Sequence, residues 1–286
     1  MRIINDFERK TPSKINKEYV EMKCGNCVPV YTISSINDLN QFIGYGKYIN
    51  CKNYNVYLRG QTSLYDGAMI PSLYRHECSK DLTTSKFYER INKILQDNKS
   101  FVKFPKPIFE ATVQHYGIKT PQIDIVDNVW IALWFALNEF KGKIINTTEH
   151  LYVSKTTQKY GYIFLIASDA LEHSDTIRGL YKGSQTQLID LRKALPSYYL
   201  RPHAQHAYML RKNEFAPEDY SELIIGIAKI PVCEAQRWIG DTELLSVKSL
   251  FPSAYFDSGY EIMLKNYPTY DSSIVRYQGS IQIISD

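Results

Sequence analysis

Long hydrophobic runs are missing from this chain of 286 residues. No stretch of about 18 apolar residues occurs, so no membrane-spanning helix is expected. The first residues, Met1 to Asp6, lack the apolar core of a signal peptide. Cysteine is sparse, and the odd count of five argues against a disulfide framework and fits a reducing compartment. We therefore expect a cytoplasmic protein without a membrane partner.

The common catalytic and nucleotide-binding motifs are also missing. Neither Gly-x-Ser-x-Gly nor Gly-x-Gly-x-x-Gly occurs, and no phosphate-binding loop ends in Gly-Lys-Ser/Thr. Cys24 and Cys27 have the spacing of half a zinc site, but no second pair of ligands follows at a suitable distance. Because a structural zinc needs four ligands, no metal site is expected.

Excess charge of one sign is missing as well. The formal net charge is +4 and the isoelectric point is near 8.6, below the value above about 9 that is typical of dedicated nucleic-acid-binding domains. Tyrosine is abundant, with 23 residues spread along the chain. Tyrosines stack on bases or line polar pockets, and they also fill half-buried sheet positions. The composition therefore permits a nucleic-acid partner without selecting one.

Hydrophobic periodicity predicts a helix-rich first half and a strand-rich second half. Helices are expected from Ser34 or Ser35, from Thr83, before Gly117, and over 129–137, 234–240, 244–250 and 260–265. Strands are expected over 54–59, 162–167, 187–191, 207–211 and 223–230. Residues 1–28 are polar and weakly patterned, as in an arm or an added element. The order predicts a single α+β domain over residues 29–286.

The strand over 54–59 ends in an arginine that is followed by a glycine. An arginine at position 59 does not stabilise a hydrophobic core. It would instead pair with a buried anion, because a guanidinium holds phosphate or carboxylate through two parallel hydrogen bonds. An alternative stays open, since buried arginines are usually paired. In that case Arg59 is structural, and Asp124 or Asp127 is its partner.

A second polar segment, Gln114-His115-Tyr116-Gly117, ends a predicted helix at a glycine. It places an imidazole and a phenol beside a turn. His115 alone is more often a satisfied core histidine than a catalytic group. Together with Arg59, however, the segment predicts a site for a polar, phosphorylated ligand.

Several short motifs, taken in chain order, resemble the FRG domain, a family named for its Phe-x-Arg-Gly signature. They are Tyr57–Gln61, Ile70–Arg75, Gln114–Gly117 and Ala132–Ala136, followed by Arg201–Gln205 and Leu250–Ser253. The resemblance runs from about residue 30 to residue 265. The chain departs from the family pattern at Pro121 and Val126, where arginine and threonine are usual.

FRG domains often occur in bacterial defence or toxin settings, and their layout is similar to that of ADP-ribosyltransferases. By analogy, the resemblance implies a split sheet of the ADP-ribosyltransferase kind. It also implies NAD as a substrate and a nucleic acid, such as RNA, or a protein as the acceptor. A neutralising antitoxin protein is a further partner that such a setting admits. The implied activity is NAD-dependent mono-ADP-ribosylation.

The resemblance also implies the roles of individual residues. Arg59 would bind the pyrophosphate, Tyr74 or Tyr116 would stack on the nicotinamide ring, and Gln205 would orient the ribose. The residues implied in catalysis are His115, Gln205 and Asp124, and those implied in binding NAD are Arg59, Gly60, Gln61, Tyr74, Arg75, Tyr116 and Thr120. The carboxylate that stabilises the developing positive charge stays open, with Asp124, Glu214 and Glu222 as candidates.

Two other classes of function remain alternatives. The first is a binding module that senses a nucleotide or another phosphorylated ligand through Arg59 and performs no chemistry. The lack of an obvious catalytic glutamate favours it. The second is a toxin that acts through protein contact, in which Arg59 is purely structural.

Overall fold

The computed structural model describes residues 1–75, 104–118, 120–145, 148–214, 219–266 and 282–283. The described helices are α1 (Ile36–Asn50), α2 (Lys106–His115), α3 (Val129–Leu137), α4 (Leu191–Ala194), α5 (Leu200–Ala204), α6 (Val232–Ile239), α7 (Val247–Leu250) and α8 (Ser258–Asn266). The helix predicted from Thr83 lies outside the described residues.

The described strands are β1 (Asn16–Glu21), β2 (Cys27–Thr32), β3 (Asn55–Gln61), β4 (Ile123–Val126), β5 (Asn138–Ile145), β6 (Thr148–Lys155), β7 (Tyr160–Ser168), β8 (Glu172–His173), β9 (Leu180–Lys182), β10 (Thr186–Asp190), β11 (Ala207–Lys212), β12 (Ile224–Pro231) and β13 (Gln282–Ile283). Ten of them form one sheet in the order β1-β2-β12-β7-β3-β4-β11-β10-β9-β8, and β13-β6-β5 form a second sheet. Within the large sheet, β12 and β2 are parallel. The predicted α+β domain is confirmed.

The predicted strands appear within two residues of their expected ends, because each is a short apolar run between turn residues. The helix predicted over 129–137 is also confirmed, and six of its nine residues are buried, while Trp130 is exposed near its start. Asn128 caps α3 by accepting hydrogen bonds from the backbone amides of Trp130 and Ile131. Together with α1, which Ser35 caps, α3 covers the main hydrophobic core over β3, β7 and β12.

Gly60 allows α3 to lie directly against β3. A Cβ atom on Gly60 would be 1.8 Å from the backbone oxygen of Ala132, and one on Gly161 of β7 would be 2.6 Å from that of Ala136. No side chain fits in that space. The glycine of the Arg-Gly pair is therefore explained by helix packing, whatever it also contributes to the site.

The large sheet opens between β3 and β4. Strand β3 pairs with β7 along its whole length, from Asn55 to Gln61. With β4 it shares a single register pair, Leu58 with Val126. Beyond that pair the two strands diverge, so Arg59, Gly60 and Gln61 border an opening. Because β3 and β4 are still neighbours in one ten-stranded sheet, a split sheet of the ADP-ribosyltransferase kind stays a prediction.

Residues 1–28 form an added element rather than an arm. Ile4 and Phe7 are fully buried, and the amide of Ile4 donates a hydrogen bond of 2.9 Å to the oxygen of Ile225. Strand β1 then pairs with β2 at the edge of the sheet. The short alternation in this segment was too weak to predict a strand. The domain boundary at residue 29 stays a prediction.

Among the described residues, no helix has the length and apolar character needed to cross a membrane.

Candidate functional site

The opening between β3 and β4 leads into a cleft of about 890 Å³, a volume typical of small-molecule sites. Its walls include β3 and the following loop, the end of α2, β4, the junction of α3 with β5, and the segments around Gln205 and Phe251. Arg59, His115 and Gln205, which are far apart in the sequence, all line it. Gly60, Gln61, Arg75 and Asp124 line it as well.

Arg59 is half-buried in the wall of the cleft. Its Nη1 donates a hydrogen bond of 2.5 Å to the backbone oxygen of Asp124, and its Nε is buried without a partner among the described residues. Burial, assisted by the charge of Arg75, lowers the pKa of Arg59 to about 10, so the group stays protonated at neutral pH. The alternative pairing with Asp127 is wrong, because Asp127 binds Arg192 instead, at 2.9 Å.

His115 and Asp124 face each other across the cleft floor, with 3.6 Å between Nδ1 and Oδ1. The other carboxylate oxygen of Asp124 accepts a hydrogen bond of 3.1 Å from Nε2 of Gln114. Burial alone raises the pKa of Asp124, but the neighbouring His115 ring, the charge of Arg59 and the hydrogen bond from Gln114 outweigh it and hold that pKa below its usual value. A histidine beside an ionised carboxylate is an arrangement suited to proton transfer.

Gln205 reaches the cleft from a segment that a buried arginine holds in place. Arg201 is 2% exposed, and its guanidinium lies about 5 Å from the ring centres of Tyr116, Phe251 and Tyr260. The Nε2 of Gln205 donates a hydrogen bond of 2.7 Å to the backbone oxygen of Leu250. In the Arg201–Gln205 motif, the arginine is therefore structural and the glutamine borders the cleft.

Three residues expected to contact NAD do not line the cleft: Tyr74, Tyr116 and Thr120. Tyr116 is fully buried and donates a hydrogen bond of 2.6 Å from its hydroxyl to Asp257. Thr120 is fully buried as well and accepts a hydrogen bond from the amide of Gln122. The expectation that Tyr116 stacks on a ligand ring therefore does not fit this arrangement, in which the phenol belongs to the core behind the cleft.

Three phenylalanines form an aromatic wall of the cleft that was not predicted from the sequence. The rings of Phe135 and Phe140 are stacked, with centres 6.0 Å apart and an angle of 24° between their planes. Phe251 packs at 5.6 Å from Phe140, and all three line the cleft. Phe140 is 42% exposed. Such a wall provides the stacking surface that Tyr74 or Tyr116 was expected to provide.

A second carboxylate in the cleft, Glu139, was also missed. It accepts a hydrogen bond from the hydroxyl of Thr156 and lies beside Asn138 in the lining. The two glutamates considered from the sequence, Glu214 and Glu222, instead form ion pairs with Lys212 and do not line the cleft. The available signal was the position of Asn138-Glu139 immediately after an apolar helix.

The described residues contain no group of three or more His, Cys, Asp or Glu side chains arranged to hold a metal ion. Cys24 and Cys27 are both exposed and free.

Fold and site together define an α+β domain with a cleft where β3 and β4 diverge, lined by charged, polar and aromatic side chains. Residues 54–143 match the family model of the FRG domain. The chain therefore contains an FRG domain, in agreement with the motifs. The matched segment includes Arg59, His115, Asp124 and Glu139, whereas Gln205 and Phe251 lie beyond it. Searches of curated proteins and of solved structures give no match to this chain.

Proposed function

We propose that this protein is an NAD-dependent mono-ADP-ribosyltransferase of a bacterial toxin or phage-defence system. The observation that carries the proposal is the state of Arg59, a half-buried cation whose one hydrogen bond goes to a backbone oxygen and whose Nε has no partner among the described residues. Arg75 lies near enough to lower the pKa of Arg59. Two neighbouring cations in one cleft favour an anion such as a pyrophosphate.

The remaining walls of the cleft suit the other parts of a dinucleotide. The exposed ring of Phe140, backed by Phe135 and Phe251, offers a stacking surface for a heteroaromatic ring. Two carboxylates, Asp124 and Glu139, line the same space. They suit the ribose that separates the charged and aromatic parts of such a ligand.

In the proposed reaction, the bond between the nicotinamide nitrogen and C1′ of the ribose breaks, and nicotinamide leaves as a neutral molecule with the bonding electron pair. An acceptor nucleophile forms the new bond to C1′. Asp124 and Glu139 stabilise the positive charge that develops on the ribose. The His115–Asp124 pair receives the proton that the acceptor loses. Gln205 orients the ribose.

The acceptor is a nucleic acid, such as RNA, or a protein. The net charge of +4 is compatible with both. In a toxin or defence setting the enzyme acts in the cytoplasm, and an antitoxin protein is a further partner. These assignments follow from the resemblance to FRG domains in such settings.

The test is incubation of the purified protein with labelled NAD and total cell extract or RNA. We expect transfer of the label to a macromolecule and its loss in Arg59→Lys, because lysine keeps the charge but not the planar fork of donors. Arg178→Lys is the matched control, since Arg178 is exposed and lies outside the cleft. The proposal is contradicted if the folded protein neither transfers the label to a macromolecule nor hydrolyses NAD.

The second candidate function is a non-enzymatic module that binds a nucleotide or another phosphorylated ligand. It is favoured by Gln205, an amide anchored to Leu250 at the position where the resemblance leads one to look for a catalytic acid. This candidate predicts that NAD or ADP-ribose raises the melting temperature without being consumed. It also predicts that Arg59→Ala abolishes the rise.

A further inference from the structure

Four polar side-chain atoms at the cleft are buried and have no hydrogen-bond partner among the described residues: Arg59 Nε, Gln61 Oε1, Gln114 Oε1 and His115 Nε2. Native proteins leave few buried polar groups unpaired, because each such group loses its bonds to water without replacement. Four such atoms around one cleft indicate that a bound ligand supplies their missing hydrogen-bond partners. Their donor or acceptor character therefore describes the ligand.

Gln114 is an acceptor in this cleft. Its Nε2 faces two oxygens, the backbone oxygen of Gln122 at 3.0 Å and Oδ2 of Asp124 at 3.1 Å. The opposite orientation of the amide would place Oε1 against both oxygens, so the observed one is fixed by its neighbours. The unpartnered atom of Gln114 is thus a carbonyl oxygen, which needs a donor.

His115 is an acceptor next to it. Its Nδ1 lies 3.6 Å from Oδ1 of Asp124, which favours the tautomer with the proton on Nδ1. In the neutral ring, Nε2 then carries a lone pair. Two neighbouring residues in the sequence therefore present two acceptors, and both lack a donor.

We infer that Gln114 and His115 select a ligand that carries an NH2 group on an aromatic ring, such as a carboxamide or an exocyclic amine. One such group offers two N–H donors, one for Gln114 Oε1 and one for His115 Nε2. Arg59 Nε, which needs an acceptor, binds an oxygen of the same ligand. Small side-chain rotations of the kind common on binding bring these atoms into contact.

This inference rests on the proposed function insofar as the ligand is NAD, which carries an NH2 group on each of its two rings. A ligand with a carboxylate in place of the carboxamide would set a negative charge against the oxygen of Gln114 and the carboxylate of Asp124. A ring with a keto oxygen in place of its amine would bring an acceptor against the two acceptors of the site, Gln114 Oε1 and His115 Nε2. The site therefore rejects both analogues.

The test is calorimetric titration of the full chain with matched ligand pairs. The first pair is NAD and nicotinic acid adenine dinucleotide, the second is NAD and nicotinamide hypoxanthine dinucleotide, and the third is AMP and IMP. We expect the ligand with the NH2 group to bind at least about tenfold more tightly in one of the dinucleotide pairs, because its analogue leaves buried acceptors unpaired. The pair that discriminates identifies which ring occupies the site.

Gln114→Met should reduce this ratio to about threefold or less, because methionine keeps the length of the side chain and removes the acceptor. Gln41→Met is the matched control, since Gln41 is exposed on α1 and does not line the cleft. The ratios of the unmodified protein decide the matter should the Gln114 variant fail to fold.

The outcomes separate this inference from the proposed function. If NAD does not bind but AMP binds more tightly than IMP, the selection of an NH2 group holds and the transferase proposal fails. If both dinucleotide pairs and the AMP–IMP pair bind with equal affinity within each pair, or if none of these ligands binds, the inference is overturned.

Discussion

Two arginines lie near opposite ends of strand β4, and they differ in how fully their hydrogen-bond donors are used. Near the end of β4, Arg192 binds Asp127 at 2.9 Å and Asp190 at 3.2 Å, and it also donates to the hydroxyl of Tyr208. Near its beginning, Arg59 donates to one backbone oxygen and keeps a buried Nε without a partner among the described residues.

The difference is also visible in the electrostatics. Burial alone lowers the pKa of Arg192, but its hydrogen bonds to Asp190 and Asp127 more than offset this and raise the pKa above its usual value. The pKa of Arg59 is lowered by burial and by Arg75 to about 10. An arginine that two carboxylates bind directly stabilises the fold, whereas one that keeps a buried donor without a partner among the described residues is available to an anion. The comparison teaches that burial of an arginine alone does not indicate its role.

The largest expected effect is on stability. Arg192→Met leaves Asp127 and Asp190 without their cation, and we expect a loss of about 3 kcal/mol in the free energy of unfolding. The same substitution at Arg59 should cost about 1 kcal/mol or less, since it removes one bond to a backbone oxygen. Urea unfolding of both variants checks this. Equal losses would remove the distinction between the two arginines.

The second effect is on binding and should be found at Arg59 only. Arg59→Lys should weaken the binding of ADP-ribose about tenfold, because a single ammonium replaces the planar fork of donors. In Arg192→Lys, studied at a temperature where it is folded, the affinity should stay within about twofold of the unmodified protein, in contrast to the loss at Arg59. Calorimetric titration measures both. A similar loss at both positions would place the anion elsewhere.

Some elements of the fold and some residues of the cleft can be predicted from the sequence, and others cannot. Local patterns predict β3, α3 and the positions of Arg59 and His115, because strand and helix periodicity depends on neighbouring residues. The inward position of Tyr116 depends on Asp257, its hydrogen-bond partner 141 residues away. Glu139 reaches the cleft only because α3 ends there and β5 begins. Long-range contacts of this kind leave no local signal.

A third prediction concerns acid stability. Burial raises the pKa of Asp127, but the hydrogen bonds and charge of Arg192 outweigh it and lower that pKa below its usual value. A carboxyl whose pKa is lower in the folded state contributes stability above its unfolded value of about 3.9, and this contribution is lost as the pH falls through the folded pKa.

Asp127→Asn should therefore lower the free energy of unfolding at pH 6 and flatten its decrease below about pH 4. Urea unfolding at a series of pH values measures the effect. An unchanged slope below pH 4 would show that Asp127 does not carry this dependence.

The smallest expected effect is at His206, which borders the cluster formed by Arg192, Asp127 and Asp190. The side chain of His206 is more exposed than those three side chains. Its Nδ1 accepts a hydrogen bond of 2.9 Å from Arg192, and its backbone φ is 49°. Asparagine tolerates this left-handed conformation, so His206→Asn should change the free energy of unfolding by about 1 kcal/mol or less. A loss as large as that of Arg192→Met would mean that the histidine is an essential part of the cluster.

The most direct test of the central claim is calorimetric titration of NAD into the unmodified protein and into Arg59→Met. We predict one NAD bound per chain, and affinity at least about tenfold lower in the variant, while its melting temperature stays close to that of the unmodified protein. Equal affinity in the two proteins, or no binding by the folded unmodified protein, would contradict the account.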